Sequence, residues 1–332
     1  PASVRDELAA LRRASGLSNE ALCQAVGIRQ PVTFYAWERG ASRPTVRHYT
    51  AWLRAVGANE DEFLRKAAVG GSRLQRLWRD NAAASGRNAV RDRVRLSDLG
   101  RDDLAWFGGR ADLQLTPEHH AGRPLGRYVA VNANLMTLLG FYLAEGSCSD
   151  RNGVRVSIGN ANRCFADEIT RHFTAVFGHS PMLYEQADRA AELKFVNRVA
   201  ALAWQHLFGF ESAESCSKRV PDLVFNVGDE LRLAFLRGYL LGDGTVGRDK
   251  IAFCTSSYDL ASGIMYLLSS LGVVASVSHM QPDGVTHSIR GLPCATRSPY
   301  WVVTVCAKDD LRTMEPAWRD HAGAEALRTH LA

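Results

Sequence analysis

The chain has almost no lysine. Of its 40 basic residues only five are lysines, and a single one, Lys66, falls within the first 130 positions. Each lysine is therefore a place where arginine, the cation used everywhere else, has been passed over. Also missing is any run of about 18 apolar residues, which excludes a membrane-spanning helix. The opening PASVRDELAALRR has no apolar centre and does not read as a signal peptide. No two of the seven cysteines stand at CxxC spacing, which excludes the usual zinc and thioredoxin-type motifs. Their odd number points to reduced thiols in a cytoplasmic protein rather than to a disulfide framework. An apolar content of 46% and a charged content of 23% over 332 residues describe a globular protein with room for two or three domains.

What is present is arginine, unevenly placed. Residues 1–130 carry a net charge of +7 and residues 131–332 a net charge of −2. Arg73, Arg76, Arg79, Arg87, Arg91, Arg93 and Arg95 face only Asp80 and Asp92. Such a run suits contact with phosphates, and it suits a solvated linker equally well. Gly70-Gly71-Ser72 marks a boundary ahead of it. The loop that follows contains Thr116-Pro117-Glu118-His119 and His120; with no partner at ligand spacing, these histidines read as loop residues.

Two segments are nearly alike: Leu138–Gly146 (LLGFYLAEG) and Leu236–Gly244 (LRGYLLGDG). Each is an apolar run with small residues four apart, Gly140 and Ala144 in the first and Gly238 and Gly242 in the second. On a helix, positions i and i+4 share a face, so each segment offers a bare stripe that another helix backbone can approach closely. Parallel packing of the two stripes brings Glu145 and Asp243 together at two helix C-termini. Paired carboxylates repel, and the negative ends of two helix dipoles add to the repulsion. A divalent cation resolves it, and hard carboxylate oxygens with open positions suit Mg²⁺. The residues thus point to a metal-assisted phosphodiester hydrolase with pseudo-twofold symmetry. The plain alternative is two core helices, each ended by an acid-glycine cap.

These paired segments resemble the motifs of the LAGLIDADG homing endonucleases. The resemblance spans roughly residues 90–332. The lead-in RVRLSDL (Arg93–Leu99) through NANLMTLLGFYLAEG looks most like the endonuclease domains found inside inteins. It implies that Glu145 and Asp243 bind Mg²⁺, with Mn²⁺ able to substitute, and that Gly146 and Gly244 adjoin the metal.

A common order of elements follows each motif. The first copy continues with a strand at 154–158, a helix at 163–177, strands at 182–186 and 192–196, and a helix at 198–208. The second continues with a strand at 251–255, a helix at 259–271, strands at 273–278 and 301–306, and a helix at 309–321. Fold class is α+β: a duplicated αββαββα LAGLIDADG endonuclease fold, its β-saddle related by a pseudo-twofold, preceded by an all-α domain. The expected boundaries are 1–69, 70–130, 131–230 and 231–332. Period-2 alternation sends Val154, Val156, Ile158, Ile251 and Phe253 inward. It sends Arg155, Ser157, Ala252 and Cys254 outward, with Arg151, Arg248 and Lys250 beside them. Lys194 and Arg297 add further phosphate or base contacts on later strands.

Lys218, in SKRVPDLVF, resembles by its Lys-x-x-Pro setting the family lysine near the scissile phosphate. Its charge there stabilises the transition state or polarises the attacking water; otherwise it is a surface lysine in a loop. The second copy has no equivalent. No lysine follows Lys308, and only Arg319, His321 and Arg328 remain on that side.

Residues 1–67 read as short helices. Ser18 is a good N-cap, Gly27 ends the helix it opens, and Pro31 suits a first helical turn. LRRASGLSNEALCQAVGI…TFYAWERGASRP resembles the helix-turn-helix of phage-repressor (XRE-like) proteins, most specifically in Trp37–Gly40 followed by Pro44. The resemblance implies a structural ion pair between Arg12 and Glu38. It implies a third helix, 31–39, in the major groove, with Arg29, Gln30, Thr33 and Phe34 facing base edges.

Two functions remain in contention. The first is a monomeric, intein-type endonuclease that breaks both strands of a long double-stranded DNA target. The second is a DNA-binding regulator on the same fold that does not cleave. An RNA-splicing maturase fits less well, because a helix-turn-helix reads duplex DNA. The residues a splicing domain needs at its ends are not found at Pro1 or at Thr329–Ala332, so any splicing partner is expected outside this chain.

Overall fold

The computed structural model describes the chain apart from residues 1, 43, 45, 68–95, 97–98, 112, 118–122, 150–152, 187–188, 211–214, 283–285, 290–291 and 296–297. The whole arginine run Arg73–Arg95, together with His119 and His120, lies outside the described residues. Two compact units result, Pro1–Gly109 and Arg110–Ala332. Among the described residues no helix is long and apolar enough to cross a membrane.

The first unit is helical: α1 (Ala2–Ala14), α2 (Asn19–Val26), α3 (Val32–Glu38), α4 (Val46–Ala55), α5 (Glu60–Ala67) and α6 (Arg101–Gly108). Ser18 caps α2, accepting a hydrogen bond from the Ala21 N–H. Gly27 takes φ +77° to end that helix, a conformation glycine adopts without a Cβ penalty. The core gathers Leu8, Leu22, Val26, Trp52, Leu53 and Phe63 around Phe34 and Trp37. Arg12 Nε donates to Glu38 Oε1 at 2.6 Å, with both side chains largely buried.

The second unit opens with a two-stranded ribbon, β1 (Gln114–Leu115) and β2 (Leu125–Gly126). Its remainder is one architecture used twice. The first copy runs α7 (Ala133–Glu145), β3 (Gly146–Ser149), β4 (Gly153–Ile158), α8 (Ala166–Phe177), β5 (Met182–Gln186), β6 (Arg189–Phe195) and α9 (Arg198–Leu202). After α10 (Asp222–Phe225) the second runs α11 (Asp229–Asp243), β7 (Gly244–Val246), β8 (Ile251–Thr255), α12 (Tyr258–Ser270), β9 (Ser276–Met280), the hairpin β10 (Thr286–Ile289) and β11 (Leu292–Ala295), β12 (Tyr300–Val305) and α13 (Lys308–Thr313). Two short helices close it, α14 (Glu315–Trp318) and α15 (Ala324–Leu331). The four-stranded antiparallel sheets have matching orders, β3-β4-β6-β5 and β7-β8-β12-β9. Alternation places Val154, Val156, Ile158, Ile251 and Phe253 in the core, against Ile169 and Phe173 of α8 and Ile264 and Leu268 of α12.

Three local features depart from the sequence reading. Short strands β3 and β7 grow directly from the ends of the motif helices, and β10–β11 forms an extra hairpin. The expected helix at 309–321 is broken, because Pro316 in the first turn of α14 cannot continue the preceding helix. The break leaves His321 in a turn.

Candidate functional site

Helix α7 is apolar nearly all round and buried over Leu135–Leu143, whereas α11 buries Phe235, Leu236 and Gly238–Leu241 and carries charge at Asp229, Glu230, Arg232, Arg237 and Asp243. They pack in parallel through the small-residue stripe. A Cβ on Gly140 would strike Phe235 O and lie 2.7 Å from Tyr239 N. A Cβ on Gly238 would strike Thr137 O and lie 3.0 Å from Phe141 N. The contacts are reciprocal about the 98-residue repeat offset, the signature of a twofold interface. Nearer the C-termini, a Cβ on Gly242 would lie 2.5 Å from Ala144 Cβ and 3.6 Å from Glu145 Cγ. The packing thereby brings the two helix ends, and with them Glu145 and Asp243, to one place.

Gly146 and Gly244 leave the helices in extended conformation, with φ −93° and −97°. Neither takes the left-handed cap the sequence alone suggests. Each N–H returns to the carbonyl four residues back, Tyr142 and Leu240. A side chain at either position would run into that preceding turn. Glycine is required here for close approach.

The electrostatics follow from this convergence. Burial raises the pKa of Asp243 to about 6, and the neighbouring charge of Glu145 adds to the rise. Burial likewise raises Glu145, and Lys218 opposes the shift in both. Asp243 still exposes much of its surface, while Glu145 is half-buried. Lys218 Nζ donates to Leu143 O at 2.8 Å and to Gly146 O at 3.3 Å, so it caps the C-terminus of α7. Burial lowers its pKa, and the two acids work against that. The Lys218 carbonyl accepts from Ser257 Oγ at 2.5 Å. Ser257, fully buried, also N-caps α12, which pins the lysine-bearing loop to the second copy. Sequence reading missed Ser257, whose only signal is a serine before an apolar helical run.

Among the described residues no cluster of three or more His, Cys, Asp or Glu groups is placed to hold a metal. The donor set is two carboxylates and adjacent backbone carbonyls. Hard oxygens, few in number and held together against repulsion, fit a hydrated Mg²⁺ or Mn²⁺ ion that completes its shell with water and phosphate.

Beside this centre lie the outward faces of the sheets. In the first copy Ser147, Arg155, Lys194 and Met182 are aligned across β3, β4, β6 and β5. Ser157, Glu192 and Tyr184 form the next row. Arg155 Nε is buried without a hydrogen-bond partner. Lys194 is already engaged, 2.7 Å from Glu192 and 4.6 Å from the centre of the Tyr184 ring. In the second copy the rows are Thr245, Ala252, Thr304 and Ser276, then Cys254, Val302 and Ser278, and none of these is charged. Arg248 and Lys250 stand exposed in the β7–β8 turn. Arg151 and Arg297 lie outside the described residues.

In the helical unit Arg29 and Gln30 are exposed and Thr33 is partly so. Phe34 is the correction: it is fully buried, packed against Trp37 and Trp52 with ring centres 5.7 and 5.6 Å away. A residue in that position cannot reach a base edge. The exposed side chains of α3 include Val32 and Tyr35, which the sequence reading passed over.

Residues 230–316 match the family model of a LAGLIDADG-like domain, and residues 4–65 that of a helix-turn-helix domain. The DNA polymerase of Thermococcus hydrothermalis is 29% identical over 197 residues, covering 57% of this chain and 11% of the polymerase. The ATP-dependent DNA helicase Hel308 of Thermococcus kodakarensis is 26% identical over 206 residues, covering 59% of this chain and 17% of the helicase. The chain therefore spans well under a fifth of the length of these curated relatives. Among solved structures, I-DmoI in complex with DNA and Mn aligns with TM-score 0.39 and 12% identity, over 58% of this chain and 99% of that one. Full-length DUF199/WhiA from Thermatoga maritima aligns with TM-score 0.37 and 12% identity, over 61% of each. The chain thus carries a LAGLIDADG-like domain and a helix-turn-helix domain.

Proposed function

We propose that the chain is a site-specific DNA endonuclease that breaks both strands of a long duplex target. The observation that carries this reading is the reciprocal packing of α7 and α11, which holds two acids of raised pKa at one end, beside a half-buried lysine. Neutral side chains would relieve that repulsion, so retaining both acids makes chemical sense where a cation is bound.

Glu145 and Asp243 would hold Mg²⁺ or Mn²⁺, which when bound supplies Lewis-acid charge to the phosphodiester. The chain's own residues do the rest. The Lys218 ammonium, fixed on the α7 carbonyls, offsets negative charge building on the phosphate oxygens. Water forms the new P–O bond as the bond to the leaving oxygen breaks, and a proton from that water passes to the leaving oxygen. The partly exposed side chains of Arg155, Ser147 and Ser157 suit phosphate and base contacts along the duplex. The helix-turn-helix extends the footprint through Arg29, Gln30 and Thr33.

Segments of about 200 residues align inside a polymerase and a helicase whose own functions differ. A piece shared by unrelated hosts is what an inserted mobile element leaves, which supports an intein-type origin. One observation favours a second reading, a DNA-binding regulator that does not cut: the second copy contributes no lysine equivalent to Lys218.

The test is incubation with a library of random duplexes in Mg²⁺, beside a Glu145→Gln/Asp243→Asn control, followed by sequencing of new ends. Paired breaks at one long motif, absent in the control, are expected. Equal capture of one motif by both proteins without breaks would establish the regulator instead.

A further inference from the structure

Lys218 stands on a stretch that its own neighbours do little to fix. Ser217 and Arg219 are exposed, and the Lys218 N–H reaches Ser215 O only at 3.5 Å. A lysine side chain is flexible along its whole stem, so its ammonium is placed no better than the backbone that carries it. Yet Nζ meets two carbonyls at the end of α7. The backbone is held from elsewhere, and the hold comes from the other copy.

Helix α12 meets the loop at three successive points. At its start, Ser257 Oγ donates to the Lys218 carbonyl at 2.5 Å and accepts the Leu260 N–H at 3.2 Å. The single hydroxyl proton is therefore spent on the loop, while a lone pair caps the helix. Ser257 is fully buried, and its own N–H donates to Thr255 Oγ1 at 3.0 Å, at the end of β8. Further along α12, a Cβ on Gly263 would lie 2.7 Å from Val220 Cγ2 and 3.1 Å from Val220 Cβ. The bare glycine admits Val220, which is 3% exposed. Beyond it the Tyr266 ring meets Phe225 edge-on, with ring centres 5.4 Å apart. Copy one offers no such seat: its corresponding helix α8 is opened by Phe165, whose side chain makes no capping hydrogen bond.

We propose that Ser257 is a positioning residue for Lys218, with Gly263 as a second support through Val220. This rests on the endonuclease reading. The lysine belongs to the sequence of copy one, but α12 of copy two sets where it stands. A misplacement of about 1 Å can cost on the order of 10²-fold in rate when a group must meet a reacting centre. Loosening the hold of α12 therefore slows cleavage without loosening DNA.

Two measurements test this, both on the full chain. The first needs no cleavage. With five lysines in the chain, side-chain ¹⁵N spectra are simple, and Lys218→Met assigns the signal. Slow proton exchange at the Lys218 ammonium is expected in wild type and in Ser257→Thr, which keeps the hydroxyl. Fast exchange is expected in Ser257→Ala and in Gly263→Ala, with the Lys308 signal, held by His330 O, unchanged. Gly263→Ala separates the seat from helix stability, since alanine favours α12 by about 1 kcal/mol while it displaces Val220. It also decides the matter should Ser257→Ala not fold. Slow exchange retained in Gly263→Ala and in folded Ser257→Ala overturns the proposal. The second measurement uses the duplex recovered from the library. Ser257→Ala and Gly263→Ala are expected to cut at least about tenfold more slowly, with DNA capture within about twofold of wild type and Ser257→Thr within about threefold in rate. Unchanged rates, or capture lost in step with rate, overturn the positioning role. If wild type captures the duplex but cuts neither strand, the endonuclease reading falls, and the exchange spectra still decide whether α12 seats Lys218.

Discussion

Gly140 and Gly238 sit on facing helices at the same height, each with its Cα turned to the backbone of the other helix, so that neither position has space for a methyl group. The clash at each is with carbonyl oxygen and amide nitrogen, which cannot rotate away as a side-chain tip would. Overpacking a well-filled core costs about 1–3 kcal/mol, and a backbone obstacle lies at the upper end. Gly140→Ala and Gly238→Ala are each expected to lower unfolding free energy by about 3 kcal/mol. Combining them should cost less than the sum, because the first substitution already parts the helices. Denaturant titration of the two singles and the double measures this; additive costs would deny the shared contact.

The same packing predicts a pH signature in metal-free protein. Asp243 has its pKa raised from the usual carboxylate range to about 6. A raised folded-state value means that the protonated form is the one folding favours. The stabilisation is complete below about pH 4 and is lost as pH rises through 6. Because Asp243 exposes much of its surface, solvent screening reduces the effect to on the order of 1 kcal/mol. In chelator at pH 7.5, Asp243→Asn is expected to melt about 2–4 °C above wild type, and the difference should vanish at pH 4. Added Mg²⁺ should stabilise wild type and leave the variant unmoved. A variant no more stable than wild type at pH 7.5 would mean that the acids do not repel.

Lys218 has two tasks that substitution can separate. Lys218→Met removes the charge and leaves the Leu143 carbonyl without its donor; the stability loss is expected at about 1–2 kcal/mol. The cleavage loss on the strand beside it should be far larger, about 10²–10³-fold, with DNA capture retained. Lys218→Gln can keep a hydrogen bond to the helix end and should recover most of the stability with little of the rate. Equal recovery of both would make the lysine a cap and nothing more.

How much of this was legible beforehand varies with the range of the interaction. The repeat, the small-residue stripe and the two acids were readable because a helix writes its faces into the sequence at spacing four. The strand at 251–255 was placed to the residue, since its alternation is local and its ends carry turn signals. Phe34 was misread because the position fits the recognition helix by pattern, whereas its burial depends on Trp52, a residue from α4. In sequence the glycines after the acids read as ordinary helix-ending caps, because close approach within one's own helix leaves no trace distinct from a left-handed cap.

Arg237, in α11, joins the two copies. It donates to Glu168 of α8 and, at 3.0 and 2.8 Å, to Asp320 in the turn before His321. Burial alone would raise the pKa of Glu168, but hydrogen bonds from His172 and Arg237, with the Arg237 charge, hold it at about 2. His172 is in turn fixed by Asn134 at 2.9 Å, so the network runs from the start of α7 to the C-terminal turn. Arg237→Met is expected to leave Glu168 charged, half-buried and short of its strongest partner, at a cost of about 3 kcal/mol. Since Glu168 has a depressed folded-state pKa, that stabilisation is present above about pH 4.5 and disappears as pH falls toward 2. The gap between wild type and Arg237→Met should therefore be wide at pH 7 and close as the medium is acidified. A gap that persists unchanged at pH 3 would show that Arg237 stabilises the fold by packing its stem and not by holding this carboxylate.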